Sequence, residues 1–87
     1  MTIETESVAD IDDLRREIDQ LDGAILEAVK RRTEVSKLIG KARMASGGTR
    51  LVHSREMKVI ERYSELGPEG KDLAMLLLRL GRGRLGH

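Results

Sequence analysis

The chain has 87 residues, room for one domain and no second independent core. Charged residues make up 36% of it, yet the formal net charge is only +1 and Tyr63 is the single aromatic residue. That balance argues against a nucleic-acid binder, which carries a basic excess and rings for stacking. With no Cys and no His, Asp and Glu at metal-ligand spacing, disulfide, thiolate and metal chemistry have no residues to use. No apolar run reaches the length of a membrane span, and the polar start at Met1–Ser7 has neither region of a signal peptide. A cytoplasmic protein with no membrane partner is expected.

Residues 1–9 are polar and aperiodic and are expected to form a disordered tail. From Ile11 the pattern becomes regular: Ile11, Leu14, Ile18, Leu21, Ile25, Ala28, Arg32, Val35, Ile39, Ala42. Steps of three and four alternate, as along a heptad seam, and only Arg32 among these positions is not apolar. Asp10 or Asp12 is placed to cap the start, and Ser46-Gly47-Gly48-Thr49 breaks the pattern. A second helix is expected from about Ser54 to Leu66, with Val52, Val59, Ile60, Tyr63 and Leu66 on its apolar side. A third begins near Glu69 and runs through the apolar stretch Leu73–Leu80. Gly81-Arg-Gly-Arg-Leu-Gly-His87, with three glycines in seven residues, predicts a flexible tail over 81–87 and a helical domain over 10–80.

Length sets the architecture. A helix over residues 11–44 is about 50 Å long, whereas a compact domain of this size has a radius of gyration of about 12 Å. Two short helices cannot cover such a seam. The expected fold is all-α: a three-helix subunit with one long N-terminal helix, intertwined with a second copy as a homodimer. A long antiparallel coiled coil is the plainer version of the same pattern.

Two charges interrupt the apolar faces. Arg32 occupies the seam, and Glu56 lies four residues after Val52 and three before Val59. A buried unpaired ion costs several kcal/mol, so each needs a partner or a ligand. Direct pairing of Arg32 with Glu56 is one solution. Arg43, however, stands about 16 Å along the same helix and about 20° around it, so both arginines can converge on one anion. Arg15 flanks the seam about 25 Å from Arg32, out of reach within its own chain. In an antiparallel pair it would meet Arg32 and Arg43 of the other copy, giving a shared site of three arginines and a glutamate suited to a dianion. Nucleophile triads and phosphate loops are missing from the sequence, so chemistry there would rest on positioning and electrostatics.

The blocks Leu14-Arg-Arg-Glu-Ile-Asp-Gln-Leu-Asp22, Lys30-Arg-Arg-Thr-Glu-Val35, Ile39-Gly-Lys-Ala-Arg43 and Arg55-Glu-Met-Lys-Val-Ile-Glu-Arg62 resemble the all-helical (AroQ class) chorismate mutases. The resemblance covers residues 11–66. It implies an interlocked dimer that rearranges chorismate to prephenate on the path to Phe and Tyr, with no cofactor. By position, Arg15 of the second copy and Arg32 resemble the arginines that grip the substrate carboxylates. Arg43 resembles the cation, often Lys in relatives, that donates to the ether oxygen, and Glu56 the residue that binds the substrate hydroxyl. Arg55 is expected to line the pocket and Lys41 to be solvated.

Two departures stand out. Val52 occupies a position near the substrate where several relatives have Asp. The family's third helix also supplies polar residues, typically a Ser and a Gln, for which this sequence offers no equivalent before Gly81. That shortening resembles the intracellular subclass whose members work with DAHP synthase, which is therefore an expected protein partner. Two other readings stay open on the sequence: an isochorismate-pyruvate lyase on the same fold, and a non-enzymatic helical adaptor in which Arg32 and Glu56 form a buried pair.

Overall fold

A computed structural model of the protein describes residues 10–48 and 53–82. Among them are three α-helices and one short 3-10 turn, with no strand. Helix α1 spans Ile11–Ala45, 35 residues. Helix α2 spans His53–Tyr63 and passes through a 3-10 turn, Ser64–Leu66, into helix α3, Pro68–Arg82. The all-helical architecture with one dominant first helix is the expected one.

Local chemistry explains the boundaries. The Asp10 carbonyl accepts from Leu14 N at 2.8 Å and starts α1, but the Asp10 side chain makes no cap bond. Asp12 and Asp13 in the first turn and Arg43 in the last complement the helix dipole. At the other end Ser46 N reaches Ala42 O at 3.2 Å and Gly48 N reaches Arg43 O at 2.8 Å. Between them Gly47 takes φ 84°, a left-handed conformation that glycine adopts without a side-chain penalty, and the helix stops. Helix α2 begins at His53, so Ser54 lies inside its first turn instead of before it. Pro68 opens α3 one residue earlier than expected, where its missing N–H costs nothing.

Helix α3 is the element on which both other helices pack. Val59 of α2 with Ala74 and Leu77 of α3 are the buried hydrophobic side chains of the described residues. That is a small core, and it lies at the C-terminal half of α1. Residues 11–28 are exposed throughout. The seam residues Ile11, Leu14, Ile18, Leu21 and Ile25 are 46–59% exposed, because nothing in the chain folds back over them. The shape follows: extents of 59 × 23 × 22 Å and a radius of gyration of 18.1 Å, against about 12 Å for a compact chain of this length.

The third helix departs from expectation at its end. It continues through Gly81 and Arg82, two residues past where the glycine-rich sequence suggests it stops. Gly81 is buried against α1, where a β carbon would lie 2.8 Å from Ser36 Cβ and collide with the Ser36 hydroxyl. The close approach of two helices favours glycine there more than helix propensity opposes it. Residues 1–9, 49–52 and 83–87, including Val52 and most of the expected tail, lie outside the described residues.

Candidate active site

Where the three helices converge, the structure encloses an open cavity of about 540 Å³. Each helix contributes through its own periodicity. On α1, Arg32, Ser36, Gly40 and Arg43 follow steps of four, four and three and so form one wall. Helix α2 adds Arg55, Glu56 and Val59, and α3 adds Leu78, Gly81 and Arg82.

Of the residues singled out from sequence, Arg32, Arg43, Arg55 and Glu56 line this one cavity. Arg15 does not. It is exposed on the projecting part of α1, its Nη1 4.0 Å from Asp12 Oδ1. Lys41 is exposed and off the cavity, as expected, whereas Lys37 lines it. The cavity is therefore bordered by five cationic side chains, Arg32, Lys37, Arg43, Arg55 and Arg82, against the single carboxylate of Glu56. Such an excess of positive charge around one concave site favours an anion.

The two charges that interrupt the apolar faces do not pair with each other. Half-buried Arg32 donates from Nη1 to the Leu77 carbonyl at 3.1 Å, linking α1 to α3. That bond uses one of its five N–H groups and leaves others for the cavity. Glu56 pairs instead with Arg82: Nη2 donates to Oε1 and to Oε2, each at 2.8 Å, and Nε donates to Oε2 at 3.3 Å. Both side chains are about three-quarters buried, at 20% and 27% exposure for Glu56 and Arg82. The adaptor reading required an Arg32–Glu56 pair and no cavity, and neither is found.

Arg82 is the site residue that sequence reasoning missed. Its spacing from Leu78, four residues along the same helix, carried the signal, but Gly81 concealed the continuation of the helix. Arg43 sits in the last turn of α1, its aliphatic stem beside Gly48, and among the described residues its guanidinium has no hydrogen bond or ion pair. The arrangement offers donors for carboxylates, a cation at the open edge and one fixed acceptor. No helix of the described residues is long and apolar enough to cross a membrane, and no group of three or more His, Cys, Asp or Glu among them is set to hold a metal ion.

Residues 14–80 match the family described as chorismate mutase type II. The intracellular chorismate mutase of Mycobacterium tuberculosis is 80% identical over 85 residues, which cover 98% of this chain and 81% of that protein. Its counterpart in Mycolicibacterium smegmatis is 81% identical over 83 residues, 94% of this chain and 80% of that protein. Among solved structures, a non-covalent complex of DAHP synthase and chorismate mutase from Corynebacterium glutamicum, with a bound transition state analog, contains a similar chain. That chain superposes with a TM-score of 0.82 at 58% identity, over 92% of this chain and 98% of its own length.

Proposed function

The chain belongs to the type II chorismate mutase family, and we propose that the cavity between its three helices is where chorismate rearranges to prephenate. The protein is a chorismate mutase, an isomerase of aromatic amino-acid biosynthesis. The observation that carries the site assignment is the charge of the cavity, five cations around one carboxylate, drawn from all three helices.

The reaction is a pericyclic Claisen rearrangement and needs no acid, base, nucleophile or cofactor. Its barrier falls when the flexible enol-pyruvyl ether is held in its folded conformer and when charge separation is stabilised. Arg32, already oriented by its bond to Leu77 O, grips one substrate carboxylate. Arg15 of the partner subunit grips the other. Arg43 donates to the ether oxygen as negative charge develops there, and Glu56 accepts from the substrate hydroxyl. Arg55 and Lys37 add positive potential along the wall.

Homodimerisation completes the site. The exposed seam from Ile11 to Ile25 supports it, since burying each of these side chains fully would gain on the order of 1 kcal/mol. Antiparallel pairing of two α1 helices brings Arg15 of the partner subunit to the cavity. The complex formed by the similar Corynebacterium glutamicum chain supports DAHP synthase as a protein partner, and the name shared by the mycobacterial relatives supports work in the cytoplasm. Following chorismate loss and prephenate formation with purified protein, alone and with DAHP synthase, tests the reading. Light scattering should give the mass of a dimer. A dimer without turnover in either condition would overturn it.

A further inference from the structure

We propose that Arg82 is a positioning residue of the rearrangement: it aims the Glu56 carboxylate into the cavity and is the polar contribution of α3 to the site. The inference rests on the role of Glu56 proposed above. Glu56 stands in the first turn of α2 with three side-chain torsions free to rotate. Nothing on its own helix orients it among the contacts described. The orienting group comes from 26 residues away, at the last turn of α3.

The geometry suits aiming better than simple charge neutralisation. Both carboxylate oxygens accept from Nη2, and Oε2 also accepts from Nε, so the planar guanidinium fixes the plane of the carboxylate as well as its position. A carboxylate has about four lone-pair directions, so one edge held by Arg82 leaves others for a hydroxyl donor. A substrate hydroxyl can therefore be accepted with the pair intact. Arg82 itself lines the cavity, and burial of Gly81 against Ser36 holds its backbone there. The third-helix polar residues that the sequence lacks before Gly81 thus have a counterpart of different chemistry, acting through Glu56.

The test is a double-mutant cycle on the full-length protein, reading kcat and KM for chorismate with thermal stability as control. Arg82→Gln should lower kcat about tenfold or more, the scale of a misplaced catalytic group. Arg82→Lys, which keeps the charge and loses the planar fork, should recover only part of it. In a Glu56→Gln background the further change Arg82→Gln should cost less than about twofold, because a residue acting through Glu56 has little left to act on. Equal losses in both backgrounds, or wild-type kcat in Arg82→Gln, would overturn the proposal. If Arg82→Gln does not fold, wild-type kcat in Arg82→Lys overturns it equally. A wild-type protein without chorismate turnover would instead remove the functional reading, and this one with it.

Discussion

Gly81 of α3 and Ser36 of α1 meet without room for a β carbon between them. At that contact the end of α3 is pinned to the cavity wall, close to the Arg32 guanidinium, which lies 4.0 Å from where that β carbon would be. Gly81→Ala should therefore push the helices apart in spite of the better helix propensity of alanine. A clash this close falls in the upper part of the overpacking range, about 2–3 kcal/mol, and the propensity gain returns about 1, so a net loss of about 1–2 kcal/mol is expected. In a chain this short that lowers Tm by roughly 4–16 °C. Pairing it with Ser36→Gly should restore most of the loss. A Gly81→Ala protein as stable as wild type would show that the two helices separate freely.

Gly23 offers the opposite case. It lies in the interior of α1, two residues from both Leu21 and Ile25 and so on the face away from the seam, with nothing within 4 Å of where a β carbon would stand. Gly23→Ala should stabilise by up to about 1 kcal/mol, through helix propensity and a less flexible unfolded chain. Thermal unfolding at fixed protein concentration checks this. A loss of stability would mean that a second chain packs on that face, contrary to pairing along the seam.

Much of the fold and of the candidate cavity's lining is legible in the sequence, for a physical reason. The heptad spacing of Ile11, Leu14, Ile18, Leu21 and Ile25 is local, and so is the conflict of Arg32 and Glu56 with their apolar faces. Both can be read without knowing what lies opposite. The end of α3 cannot. Gly81 reads as a breaker until Ser36, 45 residues earlier, is seen to demand a residue without a β carbon. Arg82 falls in the expected tail for the same reason, and its pairing with Glu56 depends on α2 and α3 packing together. Val52 cannot be compared, since it lies outside the described residues.

Arg43 carries the sharpest kinetic expectation. Its side chain stands at the open edge of the cavity, so removing it should disturb little packing. Arg43→Ala should lower kcat by about two to three orders of magnitude, the scale of losing a donor to a developing oxyanion. Arg43→Lys should retain much of the rate, since one N–H donor suffices at an ether oxygen. Arg32→Ala should differ by raising KM as well, because it removes the proposed carboxylate anchor along with the bond to Leu77 O. Wild-type kcat/KM in Arg43→Ala would show that the cation is misassigned.

The shared site proposed above makes a prediction that a site built from one chain does not allow. Arg15 lies seventeen residues before Arg32 on one helix, about 25 Å away, and cannot serve the same cavity from its own chain. Arg15→Ala and Arg32→Ala homodimers should both be nearly inactive. Mixed and allowed to exchange subunits, they should recover activity, because half the sites of a heterodimer carry neither substitution. Exchange is verified separately with a mass-tagged chain. Exchange without recovery would place Arg15 outside the site.

Shortening the chain at the end of α3 tests whether its basal rate and any response to DAHP synthase depend on different residues. Arg82 is the last helical residue described and contacts Glu56, whereas residues 83–87 follow it with a basic, glycine-rich composition. Two shortened chains divide these contributions, one ending at Arg82 and one at Arg79. The first keeps the Glu56–Arg82 pair and should match the full chain when assayed alone. If the partner acts by ordering the site through residues 83–87, adding DAHP synthase should raise kcat/KM of the full chain by up to about 100-fold and leave this shortened chain unchanged. The chain ending at Arg79 should be slower than both even without partner, since Glu56 has lost its orienting group. Three assays, each with and without DAHP synthase, decide the matter. A chain ending at Arg82 that responds fully to DAHP synthase would move the activating contact elsewhere on the surface. A chain ending at Arg79 with full basal rate would show that Glu56 needs no help from α3.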